Sequence, residues 1–385
     1  MADTYHQRLS VPFDYPVHFT RGALDAGNAL LAEAMDRLGE GRRHRAIVYV
    51  DGGLAAAQPR FVERVTEYFH VHCGRLELAG RPVAVPGGEG AKNGWAVVRD
   101  VMTAAGDVHL DRQSFVVVAG GGAVLDMVGF AASLVHRGLR VVRLPSTTLS
   151  QGDGGVGVKN GMDEHGQKNF VGTFAPPFAV INDFELLATL ADRDWIGGAA
   201  EAFKVAIIKD SAFFEWLCAH AAALRARDQA AMEHAVRRCA VLHLEHIASG
   251  GDPFEFGSAR PLDFGHWIGH KLETMSGYEL GHGQAVSIGI AADSYYAQRT
   301  GLIGEADFRR IVSGLTACGL PVWSELLSRR GPGGELEILA GLREFREHLG
   351  GHLCVTLPDG IGQKCEVHEM NGRLVAEAVE RLRPQ

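Results

Sequence analysis

The sequence predicts an α/β fold in two parts: a Rossmann-like N-terminal half built on a parallel sheet, then a mostly α-helical half. Three observations carry this. Short apolar runs rich in β-branched residues alternate with helix-length amphipathic patterns through about residue 183, the rhythm of strand–helix–strand units. Several runs end in glycine turns, where a backbone can approach a ligand closely. Beyond Leu186 helical patterns follow one another almost without a break. The shift in composition divides the chain into domains 1–183 and 184–385.

Residues 1–24 read as an extended lead-in, where Pro12, Pro16 and alternating apolar residues suit a strand. Ala26–Leu38 is an amphipathic helix closed by Gly39, and Ala46–Val50 a short strand followed by Asp51-Gly52-Gly53. An acid at the end of a strand, before glycines, can accept hydrogen bonds from a ribose; it serves equally well as a turn residue. Pro59–Tyr68 is the next helix. A glycine-rich loop, Pro86–Asn93, then leads into a helix through Met102, with Glu89 and Lys92 either ligand contacts or a surface pair. Ser114–Ala119 reads as a strand buried on both faces, and Gly120-Gly121-Gly122-Ala123-Val124-Leu125-Asp126 opens a helix running to Leu134. A strand, a glycine turn and a helix N-terminus favour an anion, although the triplet is not the G-x-G-x-x-G fingerprint.

Arg140–Leu144 is a further strand, followed by Pro145-Ser146-Thr147-Thr148-Leu149. Gln151–Gly172 predicts a long polar loop carrying Asp153, Lys159, Asn160, Lys168 and Asn169; its lysines fit a phosphate or a solvated face. Ala179–Asp183 is the last strand of this half. Helices are expected at 196–209, 211–226, 228–248, 262–276, 284–300, 304–315 and 334–347, then a strand at Leu353–Leu357 and a closing helix at 366–382.

Composition narrows the function. With 46% apolar and 22% charged residues, a net charge of −8 and no basic run, the chain is not built to bind nucleic acid. No apolar run approaches the roughly 18 residues of a membrane span, and the first thirty residues lack a secretory pattern. The six cysteines are scattered, as suits free thiols in a reducing cytoplasm.

The helical half carries Glu201 in Glu201-Ala202-Phe203-Lys204, then His266 and His270, then His282. One carboxylate and two imidazoles make the ligand set of a catalytic zinc with an open position. His266 and His270, four apart, fit equally a pair of core histidines. Lys204 shares a helical face with Glu201 and is expected to point into the same pocket.

In chain order, Gly88-Glu89 with Lys92, Gly120-Gly121-Gly122 with Asp126, His136-Arg137-Gly138, Pro145–Leu149, Asp153 with Gly157 and Lys159, Lys168-Asn169, Glu201–Lys204, Gly265-His266 and His282-Gly283 form one pattern. It resembles the dehydroquinate synthase superfamily, the sugar phosphate cyclases, over about residues 45–365. The resemblance implies a dehydroquinate synthase-like fold, NAD, a divalent metal (zinc or cobalt), a small sugar phosphate as substrate, and a homodimer. It assigns Asp51, Glu89, Lys92, Gly121, Gly122, Asp126, Thr147 and Thr148, with Asp153, Lys159 and Lys168, to the cofactor. Glu201, His266 and His282 match the metal ligands. Asp153, Lys159, Lys168, Asn169, Lys204, Arg137, Arg260, Asp263 and His270 match substrate or phosphate contacts, with Lys159 and Lys204 closest to the leaving phosphate. The chemistry implied is transient oxidation, loss of phosphate, reduction and intramolecular aldol closure, net a carbon–oxygen lyase.

The chain departs from the dehydroquinate branch at cationic positions. Asp263 stands where that branch has Asn, no lysine occurs from 239 to 259, and Phe345-Arg346-Glu347 replaces an Asp-Lys-Lys motif. Losing cations and gaining a carboxylate disfavours a substrate with a carboxylate there and suits a neutral polyol at that position. Val156-Gly157-Val158-Lys159 with Gly172-Thr173-Phe174 is similar to the branch that turns sedoheptulose 7-phosphate into valiolone-type C7 cyclitols, and His270 favours 2-epi-valiolone over 2-epi-5-epi-valiolone. The alternatives are a 3-dehydroquinate synthase, an iron-activated alcohol dehydrogenase, which needs no phosphate clamp, and a non-catalytic relative.

Overall fold

The structure, a computed structural model, describes residues 3–165, 167–249, 262–348 and 353–384. The N-terminal half contains β1 (Val17–Thr20), α1 (Leu30–Met35), β2 (His44–Asp51), α2 (Gly52–Ala57), α3 (Phe61–Val71), β3 (Leu76–Leu78), β4 (Val83–Val85), α4 (Ala96–Asp107), β5 (Phe115–Gly120), α5 (Gly122–Leu134), β6 (Arg140–Pro145), α6 (Thr148–Gly152), β7 (Lys159–Glu164), β8 (Gln167–Phe174) and β9 (Ala179–Asp183). Beyond β9 come α7 (Asp192–Lys209), α8 (Ser211–Arg225), α9 (Gln229–Ser249), α10 (His266–Met275), α11 (His282–Arg299), α12 (Glu305–Ala317), α13 (Ala340–His348), β10 (Val355–Pro358), β11 (Lys364–Val367) and α14 (Gly372–Leu382).

The main sheet is parallel throughout, in the order β1-β9-β6-β5-β2-β3, with β4 pairing the C-terminal end of β2. Every residue of β5 is buried because helices cover both faces of the sheet. On one face Phe61, Val65 and Phe69 of α3 pack with Leu31 and Met35 of α1. On the other, Val98 and Val101 of α4 pack with Val124, Leu125 and Val128 of α5. From β2 the chain first runs outward to β3 and β4, then returns to β5 on the opposite side of β2. The strand order therefore reverses between β2 and β5, and the crevice at their C-terminal ends is where such sheets bind ligands.

The α/β class and the succession of helices after β9 match the sequence expectation, with several differences. The polar stretch read as a loop is the antiparallel hairpin β7–β8. Its strands lack apolar alternation, so no pattern announces them. Their order comes from Arg143 on β6, a fully buried side chain. It donates to the carbonyls of Gly155, Gly157 and Lys159 and to Asn160 Oδ1 at 2.7–3.2 Å. The short elements α2, α6, β3 and β4 escape a periodicity reading because each spans too few residues to show a period. The first helix is Leu30–Met35 rather than Ala26–Leu38. The closing helix starts at Gly372, since residues 364–367 pair with β10 instead.

Removing Arg143 strands carbonyls in the interior, each costing about 1–3 kcal/mol when left without a donor. Arg143→Met is expected to lose roughly 3 kcal/mol or more of stability in urea denaturation.

Candidate active site

At the sheet's reversal point, Asp51 ends β2 and caps α2, accepting from Gly53 N at 2.7 Å and, more distantly, from Gly121 N at 3.4 Å. Two glycines let the loops close around it: a Cβ on Gly87 would lie 2.5 Å from Asp51 Oδ1, and one on Gly120 would lie 2.9 Å from Val124 and 3.1 Å from Asp51 Cβ. Gly121 caps the 13-residue α5, and the space beside Gly122 is open. Free N–H groups at a helix start, an acid on the neighbouring strand and no side chain in the way suit the pyrophosphate and ribose of a dinucleotide. Thr147 caps α6 through Ser150. The Thr148 hydroxyl instead joins the two halves, donating to Asp194 O at 2.8 Å and accepting from Gly198 N at 3.1 Å on α7.

The helical half meets this crevice through backbone contacts that only glycine permits. A Cβ on Gly198 would sit 2.5 Å from the Thr148 carbonyl carbon, one on Gly283 would sit 2.2 Å from Gly197 O, and one on Gly289 would sit 1.9 Å from Gly265 O. These contacts lock α7 onto α6, the start of α11 onto α7, and α10 onto α11. Glu201, His266 and His282 are thereby brought together, with donor atoms that lie within 4.8 Å of one another. Glu201 is 1% exposed, and no backbone N–H donates to its oxygens. Instead Nε2 of His282 and of His266 stand 3.4 and 3.8 Å from Oε1, and the Lys204 ammonium lies against Oε2. A buried carboxylate facing two imidazole nitrogens fits a divalent cation by the chemistry of its donors.

Charges alternate from one crevice to the other. Lys92, 1% exposed, lies 3.0 Å from Asp126, 3.3 Å from Glu89 and 3.9 Å from Asp163, and donates to Asn169 Oδ1. Lys168 bridges Glu89 at 3.4 Å and Glu273 at 2.9 Å, and Glu273 accepts from His282 Nδ1 at 3.0 Å. Lys204 continues from Glu201 to Asp153 at 3.5 Å, and Asp153 pairs with His243 Nδ1 at 2.9 Å. Burial works against each charge, but the partners prevail. Lys92 and Lys168 are held above the ordinary lysine range by Asp126, Glu89 and Glu273. Lys204 is held there by Asp153 and Glu201, and Asp153 is held well below its ordinary value by Lys204 and His243. His282 is pushed up to about 9 by Glu273 and Glu201 despite its burial. His266 and His270 go the other way: burial comes first, then neighbouring cationic groups, and both stay neutral well below the usual range.

Two family models account for most of the chain: 3-dehydroquinate synthase N-terminal over residues 82–197 and 3-dehydroquinate synthase C-terminal over 198–331. A curated 3-dehydroquinate synthase of Azotobacter vinelandii strain DJ is 34% identical over 309 residues, 80% of this chain and 79% of that protein. The chain belongs to the 3-dehydroquinate synthase family. It is thus an enzyme of the sugar phosphate cyclase superfamily. Another relative, the 3-dehydroquinate synthase of Geobacter sp. strain M21, is 39% identical over 251 residues, 64% of this chain and 68% of its own length. Among solved structures, the 2-epi-5-epi-valiolone synthase ValA of Streptomyces hygroscopicus subsp. jinggangensis 5008, with NAD+ and Zn2+ bound, superposes with a TM-score of 0.85 and 28% identity, covering 98% of this chain and 99% of that one. A 2-deoxy-scyllo-inosose synthase complexed with carbaglucose-6-phosphate, NAD+ and Co2+ shares the fold at a TM-score of 0.76 and 19% identity, over 95% and 96% of the two chains.

Most residues that the family pattern singles out do meet in this cyclase. Asp51, Glu89, Lys92, Gly121, Gly122, Asp126, Thr147 and Thr148 lie around the crevice or on the loops that frame it. Asp153, Lys168, Asn169, Lys204 and His270 belong to the charge chain or border it, the His270 ring standing 5.2 Å from His266 and 5.8 Å from His282. Asp263 acts on Lys204 through its charge, and Lys159 is exposed at the start of β7 beside the Arg143 clamp. Arg137 does not join them: it is exposed in a left-handed turn beyond the far end of α5, about 20 Å along that helix from Gly122. Arg260 lies outside the described residues. Sequence reading missed Glu273, His243 and Asp163. Glu273 had a signal, since His266, His270 and Glu273 at i, i+4 and i+7 share one face of α10. His243 and Asp163 had none, being joined to the site only by long-range packing.

Two measurements probe this framework. Gly289→Ala sets a methyl against the Gly265 carbonyl and should destabilise by about 3 kcal/mol, since overpacking a tight core forces backbone shifts. Asp293 on α11, 1% exposed, accepts from Trp267 Nε1 at 2.9 Å and Gly265 N at 3.1 Å, and burial pushes its carboxyl up to about 7. The folded chain thus holds this proton more tightly than the unfolded chain, whose carboxyl titrates near ~4. Its contribution to stability is complete below that value and is lost as pH rises to about 7. In urea titrations Asp293→Asn should gain on the parent by about 4 kcal/mol across that window.

Proposed function

We propose that this enzyme cyclises sedoheptulose 7-phosphate to a valiolone-type C7 cyclitol, 2-epi-valiolone or its 2-epi-5-epi isomer, with release of phosphate. The observation that carries the proposal is the junction of two sites: the Glu201, His266 and His282 donors stand one charge chain away from the open glycine crevice of β2 and β5. In this reading NAD lies in the crevice within residues 1–183, among Asp51, Glu89, Lys92, Gly121, Gly122, Asp126 and Thr147. A zinc or cobalt ion is held within residues 184–385 by Glu201, His266 and His282. Together they supply a hydride acceptor and a Lewis acid that acidifies a substrate hydroxyl.

The chain's own residues do the rest. Lys204, flanked by Glu201 and Asp153, keeps its proton and stands as a fixed cation where negative charge develops. Lys159, Lys168 and Asn169 reach from the hairpin toward the phosphate. Arg137 points away from this chain's own pocket, so in this reading it serves a second copy across a homodimer interface. The six free cysteines and the absence of a membrane-spanning helix among the described residues agree with a cytoplasmic enzyme.

A substrate whose end away from the phosphate is a neutral polyol is supported by the charge around the far side of the pocket. Asp263 adds a carboxylate in front of His266, and on α9 the group meeting Asp153 is His243 rather than a lysine. The coverage of 98% by the valiolone synthase fold points the same way. A second reading, 3-dehydroquinate synthase with a heptulosonate 7-phosphate, is favoured by the 34–39% identity to relatives of that name.

The test is incubation with NAD, zinc or cobalt, and each phosphate separately, with phosphate release and product NMR as readouts. Sedoheptulose 7-phosphate is expected to turn over to a cyclitol without net NADH, and Lys204→Met to lower kcat by at least about 100-fold. Turnover of the carboxylated heptulosonate alone would select the second reading.

A further inference from the structure

The strongest unassigned feature is Glu273. It is 3% exposed on α10, seven residues after His266, and both its oxygens are engaged. Oε2 accepts from His282 Nδ1 at 3.0 Å and Oε1 from Lys168 Nζ at 2.9 Å. Two sets of donors in this pocket could each surround one cation: Glu201, His266 and His282, or His270, Glu273 and His282. They share His282 and compete for it. When it gives up its second proton to bind a metal, an imidazole whose Nδ1–H is given to a carboxylate has its lone pair on Nε2, and here Nε2 is the nitrogen that faces Glu201 at 3.4 Å. A carboxylate already spent on an ammonium and an imidazole N–H is a poor metal ligand but a firm anchor. His282 needs one, because it is the first residue of α11 and its ring has no preceding turn to rest on.

We propose that Glu273 is a positioning residue: it fixes the tautomer and ring orientation of His282 for the metal, and is itself held by Lys168 from the opposite half of the molecule. This rests on the metal reading of Glu201, His266 and His282. Lys168 also touches Glu89 of the glycine-rich loop, so the clamp that aims a metal ligand is tied to the nucleotide crevice.

The experiment measures zinc affinity by competition with a chromophoric chelator, on full-length protein stripped of metal, together with the visible absorption of the cobalt form. Glu273→Gln keeps the shape and one acceptor and is expected to weaken zinc binding about 10-fold; Glu273→Leu removes the anchor and should weaken it up to about 100-fold, with a changed cobalt spectrum. The glutamine variant keeps the test valid if the leucine variant fails to fold. Wild-type affinity and spectrum in the glutamine variant, while His266→Ala abolishes binding, would overturn the positioning role and leave the metal reading intact. Loss of zinc in Glu273→Gln and His270→Ala but not in His266→Ala would make Glu273 a ligand and overturn the proposal. If wild type takes up no stoichiometric zinc, the metal reading itself fails, and the proposal with it.

Discussion

The structure depends on accommodating one carboxylate, Glu201, in the interior. A carboxylate at 1% exposure is tolerable only if compensating groups surround it, and the fold delivers one ammonium and two imidazoles from three helices. Lys204 comes from the same helix, His266 from α10 and His282 from the start of α11. None is near Glu201 by chain proximity except Lys204, so the helices themselves must be brought to within backbone contact.

That requirement explains the glycines at the helix crossings. Gly198, Gly265, Gly283 and Gly289 stand where a Cβ would collide with a neighbouring backbone. Flexibility has little to do with most of them, since Gly198, Gly283 and Gly289 lie within helices; what matters is the missing atom. Gly265 adds a left-handed φ of 78° as it caps α10. The same economy of bulk opens the sheet's reversal point around Asp51, where Gly87 and Gly120 clear the space.

Between the two sites the polar residues neutralise one another in a line, from Asp126 through Lys92, Glu89, Lys168 and Glu273 to His282, then through Glu201 and Lys204 to Asp153. Breaking such a line by removing one member leaves its neighbours as uncompensated buried charges, which costs far more than a surface pair. The line crosses between the halves at Lys168–Glu273 and again at Lys204–Asp153, while Thr148 and Gly198 hold the halves at that spacing. Electrostatics and steric fit thus constrain the same interface.

Local sequence determined what depends on near neighbours. The longer strands of the main sheet, the glycine turn opening α5, the helical second half and the Glu201–Lys204 pair were legible because a period or an i,i+3 spacing is written in consecutive residues. The motif order also sufficed to place the chain among the sugar phosphate cyclases. Tertiary structure decided the rest: the β7–β8 hairpin, whose polar strands are ordered by the distant Arg143, the pairing of His243 with Asp153, the outward position of Arg137, and the anchoring of His282 by Glu273. These contacts join residues from 9 to 90 positions apart in the chain. Their energy comes from desolvated charges meeting across packed elements, a quantity that no local pattern of residues encodes.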